Sequence, residues 1–248
     1  MRISTSENYQ SLGEAAGQIV ARQVQKKPNT VLGLATGSTP LGLYNKLVNL
    51  HQQGLDFSQV TSFNLDEYIG MPPDHEASYT TYMQTNLFAH INMDKNNIHL
   101  PNGSAIDRYN ECKRYERMIK QVGGIDLQVL GLGLNGHIGF NEPGTEFDQL
   151  THSVRLTKST RLANSRFFPS MAEVPTHAIT MGIKTIMQAK KIMLLVSGEA
   201  KASIVFQALY GVITKDVPAS ILQLHPNLTV IVDQAAACYL QDKIEVSV

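Results

Sequence analysis

The chain has 248 residues, 43% hydrophobic and 17% charged, a composition typical of a globular protein able to bury its own core. Its 21 basic and 21 acidic residues balance, which argues against nucleic acid or an anionic membrane as a partner. The sequence shows no signal peptide, no membrane-spanning run and no metal-ligand spacing at Cys112 or Cys238. We therefore expect one folded unit, residues 1–248, with free thiols in the reducing cytoplasm.

Short β-rich runs alternate with helical patterns along the chain. In chain order, we predict a helix at 13–27, a strand at 30–34, a helix at 40–53, a strand at 60–64, a helix at 79–88, a short strand at 97–100, a helix at 106–122, strands at 125–132, 191–196 and 229–232, and a last helix at 234–241. This alternation predicts a layered α/β fold with a mostly parallel central sheet. Residues 145–175 lack periodicity and are long for a loop, so we predict a lid there.

Ligands of open parallel sheets bind beyond the carboxyl ends of the strands, so the residues after each predicted strand are the candidates for chemistry. The run after strand 30–34 is Thr36-Gly37-Ser38-Thr39-Pro40. Backbone N–H groups at a helix start, a flexible glycine and three hydroxyls favour a phosphate site. An ordinary capped helix start is the alternative, although one hydroxyl would suffice for it. The run lacks the Gly-Lys-Ser/Thr of a nucleotide-binding P-loop.

A pair of acids follows strand 60–64. Asp66 and Glu67 could act as a proton-transfer base, bind a metal, or form a solvated turn. No histidine or further acid stands nearby at ligand spacing, so we favour a base and predict no metal.

Strand 125–132 runs into Gly131, Gly133 and Gly136, which formally match the dinucleotide pattern G-x-G-x-x-G. The first strand should carry that pattern, and a helix should open after it. Here Pro143 and Gly144 follow instead, so we predict no dinucleotide cofactor.

The same segment contains His137, with Asn135 and Glu142 nearby. A histidine that titrates near neutrality, beside groups able to orient it, is suited to general acid–base catalysis. A buried histidine hydrogen-bonded for structural reasons is the alternative.

Three basic residues are candidates for binding an anion. Lys201 follows strand 191–196 in the first turn of a helix, where the helix dipole disfavours a cation unless an anion also binds. Arg161 and Arg166 in the predicted lid could each form a two-pronged contact with a phosphate. Chance placement on a solvated helix face is the alternative for all three.

Six segments, in this order and at these spacings, resemble the glucosamine-6-phosphate deaminase family: LATGSTP, FNLDEY, GLGLNGHIGFNEPG, ANSRFF, SGEAKA and LQLHP. The resemblance extends over about residues 31–232. The resemblance implies a modified Rossmann-like fold, also found in 6-phosphogluconolactonases and ribose-5-phosphate isomerases, without nucleotide or metal. It implies conversion of glucosamine 6-phosphate and water to fructose 6-phosphate and ammonia. A 6-phosphogluconolactonase-like hydrolase and a non-catalytic sugar-phosphate sensor are the alternatives.

The resemblance also implies roles for individual residues. Asp66 would move the proton between C2 and C1, His137 would open the sugar ring, and Glu142 would support the histidine. Asn135 stands where many members carry Asp, and an amide adds no charge, so Glu142 is the expected charged partner of His137. Glu67 and Tyr68 complete their motif without an assigned chemical role. The implied phosphate site consists of Thr36, Gly37, Ser38, Thr39, Arg166 and Lys201.

Some members of that family are hexamers activated by N-acetylglucosamine 6-phosphate, through basic residues shortly after the NEP motif. Here residues 143–154 contain no Lys or Arg and carry Glu146 and Asp148, which would repel a second phosphate. We therefore expect hyperbolic kinetics in glucosamine 6-phosphate. Initial rates with and without the acetylated sugar test this, and a sigmoidal curve that the acetylated sugar makes hyperbolic would contradict it.

Overall fold

A computed structural model describes residues 1–240, which contain ten strands and seven α-helices. The strands are β1 (Arg2–Ser6), β2 (Val31–Leu34), β3 (Thr61–Asn64), β4 (Asp66–Tyr68), β5 (Ile98–His99), β6 (Leu127–Gly131), β7 (His152–Arg155), β8 (His177–Thr180), β9 (Ile192–Val196) and β10 (Leu228–Asp233). The α-helices are α1 (Tyr9–Lys26), α2 (Leu41–Gln52), α3 (Tyr79–Asn86), α4 (Arg108–Gln121), α5 (Lys158–Asn164), α6 (Ile183–Met187) and α7 (Ala202–Tyr210). Together they confirm the predicted α/β fold.

Seven strands form a parallel sheet in the order β1-β10-β9-β6-β2-β3-β5. From β2 the chain builds outward through β3 and β5, and then returns to the other side of β2 to add β6, β9 and β10. The direction of building therefore reverses between β2 and β6. A crevice opens at such a reversal, beyond the carboxyl ends of the two strands, and this is where ligands of these sheets bind.

The core lies on both faces of this sheet. Every residue of β9 is buried, and its side chains alternate between two hydrophobic clusters. Ile192, Leu194 and Val196 pack toward α4 and α7, whereas Met193 and Leu195 pack toward α1 and α2. Burial on both faces explains why the strand runs carry no polar alternation.

A second, antiparallel sheet has the order β4-β8-β7, and the sequence analysis did not predict it. Leu65 alone separates β3 from β4. Its N–H donates to Leu34 O of the parallel sheet at 3.0 Å, and its carbonyl accepts from Met181 N, just after β8, at 2.6 Å. The chain thus passes from one sheet to the other within one residue, and this fixes the position of Asp66 at the start of β4.

Two boundaries differ clearly from the predictions. The first helix begins at Tyr9 rather than at 13, because the Asn8 side chain accepts from Ser11 N at 3.0 Å and caps it. The predicted helix at 234–241 is wrong for residues 234–240, which form turns; position 241 lies outside the described residues. There Leu240 N donates to Ala237 O, a bond between residues three apart that does not continue a helical ladder.

The segment predicted as a lid contains β7, α5 and a short 3₁₀ turn, Ser165–Phe167. Thr157 caps α5 by accepting from Thr160 N. In the part of the chain that the structure describes, no helix is both long and apolar enough to cross a membrane.

Candidate active site

The carboxyl ends of β2, β3, β6 and β9 meet at a cavity of about 660 Å³. Nine of the ten predicted site residues line it: Thr36, Gly37, Ser38, Thr39, Asp66, Asn135, His137, Arg166 and Lys201. The tenth, Glu142, is buried behind the wall and contacts Asn135 and His137. Segments that are far apart in the sequence therefore meet at the carboxyl ends of the strands, where the ligands of such sheets bind.

The loop after β2 presents backbone donors to the cavity. Gly37 has φ +92°, a conformation that glycine adopts without strain and that bends the chain sharply. Within residues 1–240, the N–H groups of Gly37, Ser38 and Thr39 donate to no protein acceptor. Successive free N–H groups at a bend before a helix form a concave site for an anion.

Lys201 and Arg166 flank this loop. Lys201 Nζ donates to Leu132 O at 2.5 Å, and Arg166 Nη2 donates to Ser38 Oγ at 3.4 Å. Neither cation pairs with a carboxylate in the described chain. Burial, and then the charge of Arg166, lower the pKa of Lys201 to about 8. Two close cations without an acidic partner favour an anionic ligand.

Arg161 has a different place from Arg166. Its guanidinium donates to the carbonyls of Met171 and Val174 at 3.0 and 2.9 Å, and it does not line the cavity. It ties α5 to the segment that follows, so the interpretation of Arg161 as a phosphate ligand is not supported.

Glu142 contacts two of the other predicted residues, Asn135 and His137. Its Oε2 accepts from Asn135 Nδ2 at 2.8 Å and lies 3.6 Å from His137 Nδ1, longer than a hydrogen bond. Asn135 Oδ1 in turn accepts from the backbone N–H of His137 at 3.2 Å. Asn135 thus positions both partners without touching the imidazole ring. Burial opposes ionisation of Glu142, but its contacts with His137, Thr160 and Asn135 lower its pKa to about 2.

Gly133 and Gly139 of this segment lie close to the side chains of His137 and Asp66. A Cβ at Gly133 would lie 2.4 Å from the His137 ring, closer than any real contact. A Cβ at Gly139 would lie 3.5 Å from Asp66 Oδ2, so the same loop also reaches the acid of β4. Of the three glycines that match G-x-G-x-x-G, Gly133 is therefore the one that packs against His137, whereas a Cβ at Gly136 would meet Val217 and a Cβ at Gly131 would meet nothing within 4 Å.

The neighbouring acids Asp66 and Glu67 have different surroundings. Asp66 is buried at the cavity wall, and burial, followed by the charge of Glu67, raises its pKa to about 8. Glu67 accepts instead from Tyr79 N, Thr80 N and Thr80 Oγ1, at 3.0 to 3.1 Å, and so caps α3. Only Asp66 can reach a ligand. Among the described residues, no three His, Cys, Asp or Glu side chains are grouped as a metal site.

Sequence reasoning missed several wall residues, among them Tyr79, Phe140, Asn164 and Ser197. Tyr79 is the first residue of α3, and its hydroxyl donates to Tyr68 Oη at 3.2 Å. Its aromatic ring stacks near Phe140, at 6.1 Å between ring centroids. Ser197 directly follows β9, so the strand-end rule could have found it, whereas Tyr79 and Asn164 follow no strand of the parallel sheet and reach the cavity only through folding.

The sequence model of one family, described as "Glucosamine-6-phosphate isomerases/6-phosphogluconolactonase", matches residues 4–231. The chain belongs to this family. A glucosamine-6-phosphate deaminase of Clostridium novyi is 55% identical over 241 residues, which cover 97% of this chain and 100% of the relative. That of Thermoanaerobacter pseudethanolicus is 52% identical over 244 residues, covering 98% of this chain and 96% of the relative.

Solved structures of the glucosamine-6-phosphate isomerase/6-phosphogluconolactonase family share this fold. A monomeric glucosamine-6-phosphate deaminase superposes with a TM-score of 0.94 at 47% identity, over 96% of this chain and 99% of that chain. A 6-phosphogluconolactonase from Trypanosoma brucei superposes with a TM-score of 0.81 at 19% identity, over 96% and 98% of the two chains. The second likeness concerns the fold alone.

Proposed function

We propose that this protein converts glucosamine 6-phosphate and water to fructose 6-phosphate and ammonia, as an enzyme of amino-sugar metabolism. The observation that carries the proposal is that the loop of residues 35–39 after β2, here called the anion loop, lines the same cavity as Asp66 and as His137, which Glu142 contacts from behind the wall. The names of relatives more than half identical to this chain support it further. No metal or nucleotide enters the proposed chemistry.

In the first step, His137 opens the sugar ring. The imidazole takes the proton of the anomeric hydroxyl and returns a proton to the ring oxygen, so that the C1–O5 bond breaks and the C1 aldehyde forms. The nearby Glu142 carboxylate stabilises the imidazolium that exists between these transfers. Because the pKa of Glu142 is about 2, this carboxylate is ionised at any pH at which the enzyme works.

In the second step, Asp66 takes the proton from C2 and delivers it to C1. The intermediate is an enolamine, and the product of the transfer is a C2 imine. Water adds to this imine, ammonia leaves, and the ketone of fructose 6-phosphate remains. A base whose pKa lies near the working pH is efficient at such transfers, and the substrate's own ammonium group favours the ionised carboxylate.

The phosphate is remote from the reacting carbons and serves to position them. The loop donors, Lys201 and Arg166 would bind it, so that C2 lies against Asp66. We also propose that the segment at 145–175 acts as the lid, since Arg166, Thr160 and Asn164 reach the cavity from it. Cytoplasmic location is part of the same proposal, in keeping with the free thiols of Cys112 and Cys238.

The decisive experiment follows ammonia and fructose 6-phosphate together in one assay with glucosamine 6-phosphate. Equal amounts of both products support the proposal. Hydrolysis of 6-phosphogluconolactone without release of ammonia from the amino sugar would replace it with the lactonase alternative. Binding of the sugar phosphate without turnover of either compound would favour a sensor.

Lys201→Ala is expected to weaken binding and leave kcat nearly unchanged. Removing one charged partner of a phosphate reduces affinity roughly 10- to 100-fold. In the unchanged protein, binding of inorganic phosphate should also weaken as the pH rises through about 8, because Lys201 then loses its charge. Calorimetry across this range tests both points, with the exposed Lys120→Ala as control. A KM equal to that of the control variant would place Lys201 outside the site.

A further inference from the structure

Three tyrosine hydroxyls contact the outer side of the anion loop. Tyr82 Oη donates to Gly37 O at 2.6 Å, Tyr9 Oη donates to Ser38 O at 2.8 Å, and Tyr44 Oη donates to Ala35 O. They come from α3, α1 and α2, which are distant in the sequence. Three separate helices thus supply donors to three carbonyls of one short loop, those of Ala35, Gly37 and Ser38.

These bonds determine where the loop N–H groups point. In a trans peptide the C=O and the next residue's N–H lie in one plane and point in opposite directions. Holding Gly37 O outward therefore directs Ser38 N–H inward, and holding Ser38 O outward directs Thr39 N–H inward. These are two of the N–H groups that have no protein acceptor in the described chain.

The tyrosines also remove an electrostatic conflict. A carbonyl turned toward the cavity would repel an anion, and a loop of small residues that includes Gly37 has little side-chain bulk to prevent such a flip. Tyr9 is anchored from a second direction, because its hydroxyl accepts from Gly42 N at 3.0 Å in the first turn of α2. Tyr82 is half-buried, so water replaces its bond less readily than that of the exposed Tyr9.

We propose that Tyr82 and Tyr9 are positioning residues for the substrate phosphate, which fix the loop peptides with their N–H groups toward the anion. This rests on the proposed function, since it assumes that the loop binds the phosphate. Tyr44 is fully buried within the core, so its hydroxyl contributes to stability and to loop geometry at once. The test therefore uses Tyr82 and Tyr9.

The variants Tyr82→Phe and Tyr9→Phe each delete one hydroxyl and keep the ring. We expect Tyr82→Phe to weaken binding of inorganic phosphate roughly three- to ten-fold, the usual range for one hydrogen bond, and Tyr9→Phe to have a smaller effect. KM for the sugar phosphate should rise by the same factors while kcat stays within about two-fold, because the reacting groups are untouched. Tyr109→Phe, on the exposed face of α4, is the matched control.

A thermal unfolding series separates positioning from stability. Phosphate raises the unfolding midpoint of a protein that binds it, and at a given phosphate concentration the rise is larger when the affinity is higher. The rise should be smaller in Tyr82→Phe than in the control, whatever the midpoint without phosphate. If phosphate raised the midpoint equally in Tyr82→Phe and in the control, or if kcat fell while the phosphate affinity stayed the same, the positioning role of the tyrosines would be overturned and the proposed function would stand. Absence of phosphate binding in the unchanged protein would overturn the phosphate site as well.

Discussion

Asp66→Asn is expected to lower kcat at least 100-fold while phosphate binding stays nearly unchanged. The amide keeps the shape of the side chain but cannot accept the C2 proton, and general-base catalysis contributes about 10²- to 10⁴-fold. The anion loop follows β2 and Lys201 follows β9, whereas Asp66 lies in β4, so the phosphate contacts remain. Steady-state rates, and the incorporation of solvent deuterium at C1 and C2, measure the effect directly.

The exposed Asp74→Asn is the control for this experiment, because it removes the same charge far from the proposed chemistry. A value of kcat above about a tenth of that of the unchanged protein would show that Asp66 is not the base. Slow turnover with normal exchange at C2 would assign the loss to a later step.

The same variant should be more stable than the unchanged protein at alkaline pH. Burial, and then Glu67, raise the pKa of Asp66 to about 8 in the folded protein, compared with about 3.9 when unfolded. The stability that this group contributes is therefore present below about pH 4 and is lost as the pH rises through about 8. Asparagine does not titrate, so the gain in unfolding midpoint should grow between pH 5 and pH 8.

His137→Gln is expected to reduce kcat/KM for the cyclic substrate about 100-fold or more, through the ring-opening step. Glutamine can hydrogen bond but cannot carry a proton from the anomeric hydroxyl to the ring oxygen. An acyclic aldehyde analogue skips this step, so the variant should process it with a much smaller loss. Comparing the two substrates in one variant isolates the role of the histidine.

His90→Gln serves as the control for that comparison, because His90 is exposed, does not line the cavity, and has its ring nitrogen at the carbonyl of Thr85. Equal losses on the cyclic and acyclic substrates would contradict a role in ring opening. Such a result would place His137 in proton transfer at C2, beside Asp66.

The parallel sheet could be predicted from the sequence because its strands are buried on both faces and separated by helices with clear periodicity. The β1 strand was missed, since RISTS is polar and most of it is exposed at the sheet edge. The antiparallel sheet was missed for a different reason. β4 has three residues and β7 alternates as HSVR, so neither contains enough apolar sequence to be recognised before β8 pairs with both.

The candidate site was predictable where its residues follow strands, as Asp66 and Lys201 do. Contacts between residues that are far apart in the sequence could not be predicted. Asn135 Oδ1 accepts from the backbone N–H of His137, whereas Glu142 Oε2 lies 3.6 Å from the ring nitrogen Nδ1, and no spacing in the sequence encodes this difference. Glu67 stands next to Asp66 in the sequence, yet the N-terminus of α3 captures its carboxylate.

The passage of the chain between sheets at Leu65 has a consequence for how such enzymes diversify. The anion loop and Lys201 extend from the parallel sheet, whereas Asp66 belongs to the antiparallel one, and the two are joined there by a single residue. Substitutions in β4 can therefore alter the proposed acid while the anion loop and Lys201 keep their positions at the parallel sheet. Related enzymes on this fold can therefore keep the same phosphate-binding loop, and with it phosphorylated sugars as substrates. The acid at the start of β4 can change separately, and with it the bond that is broken.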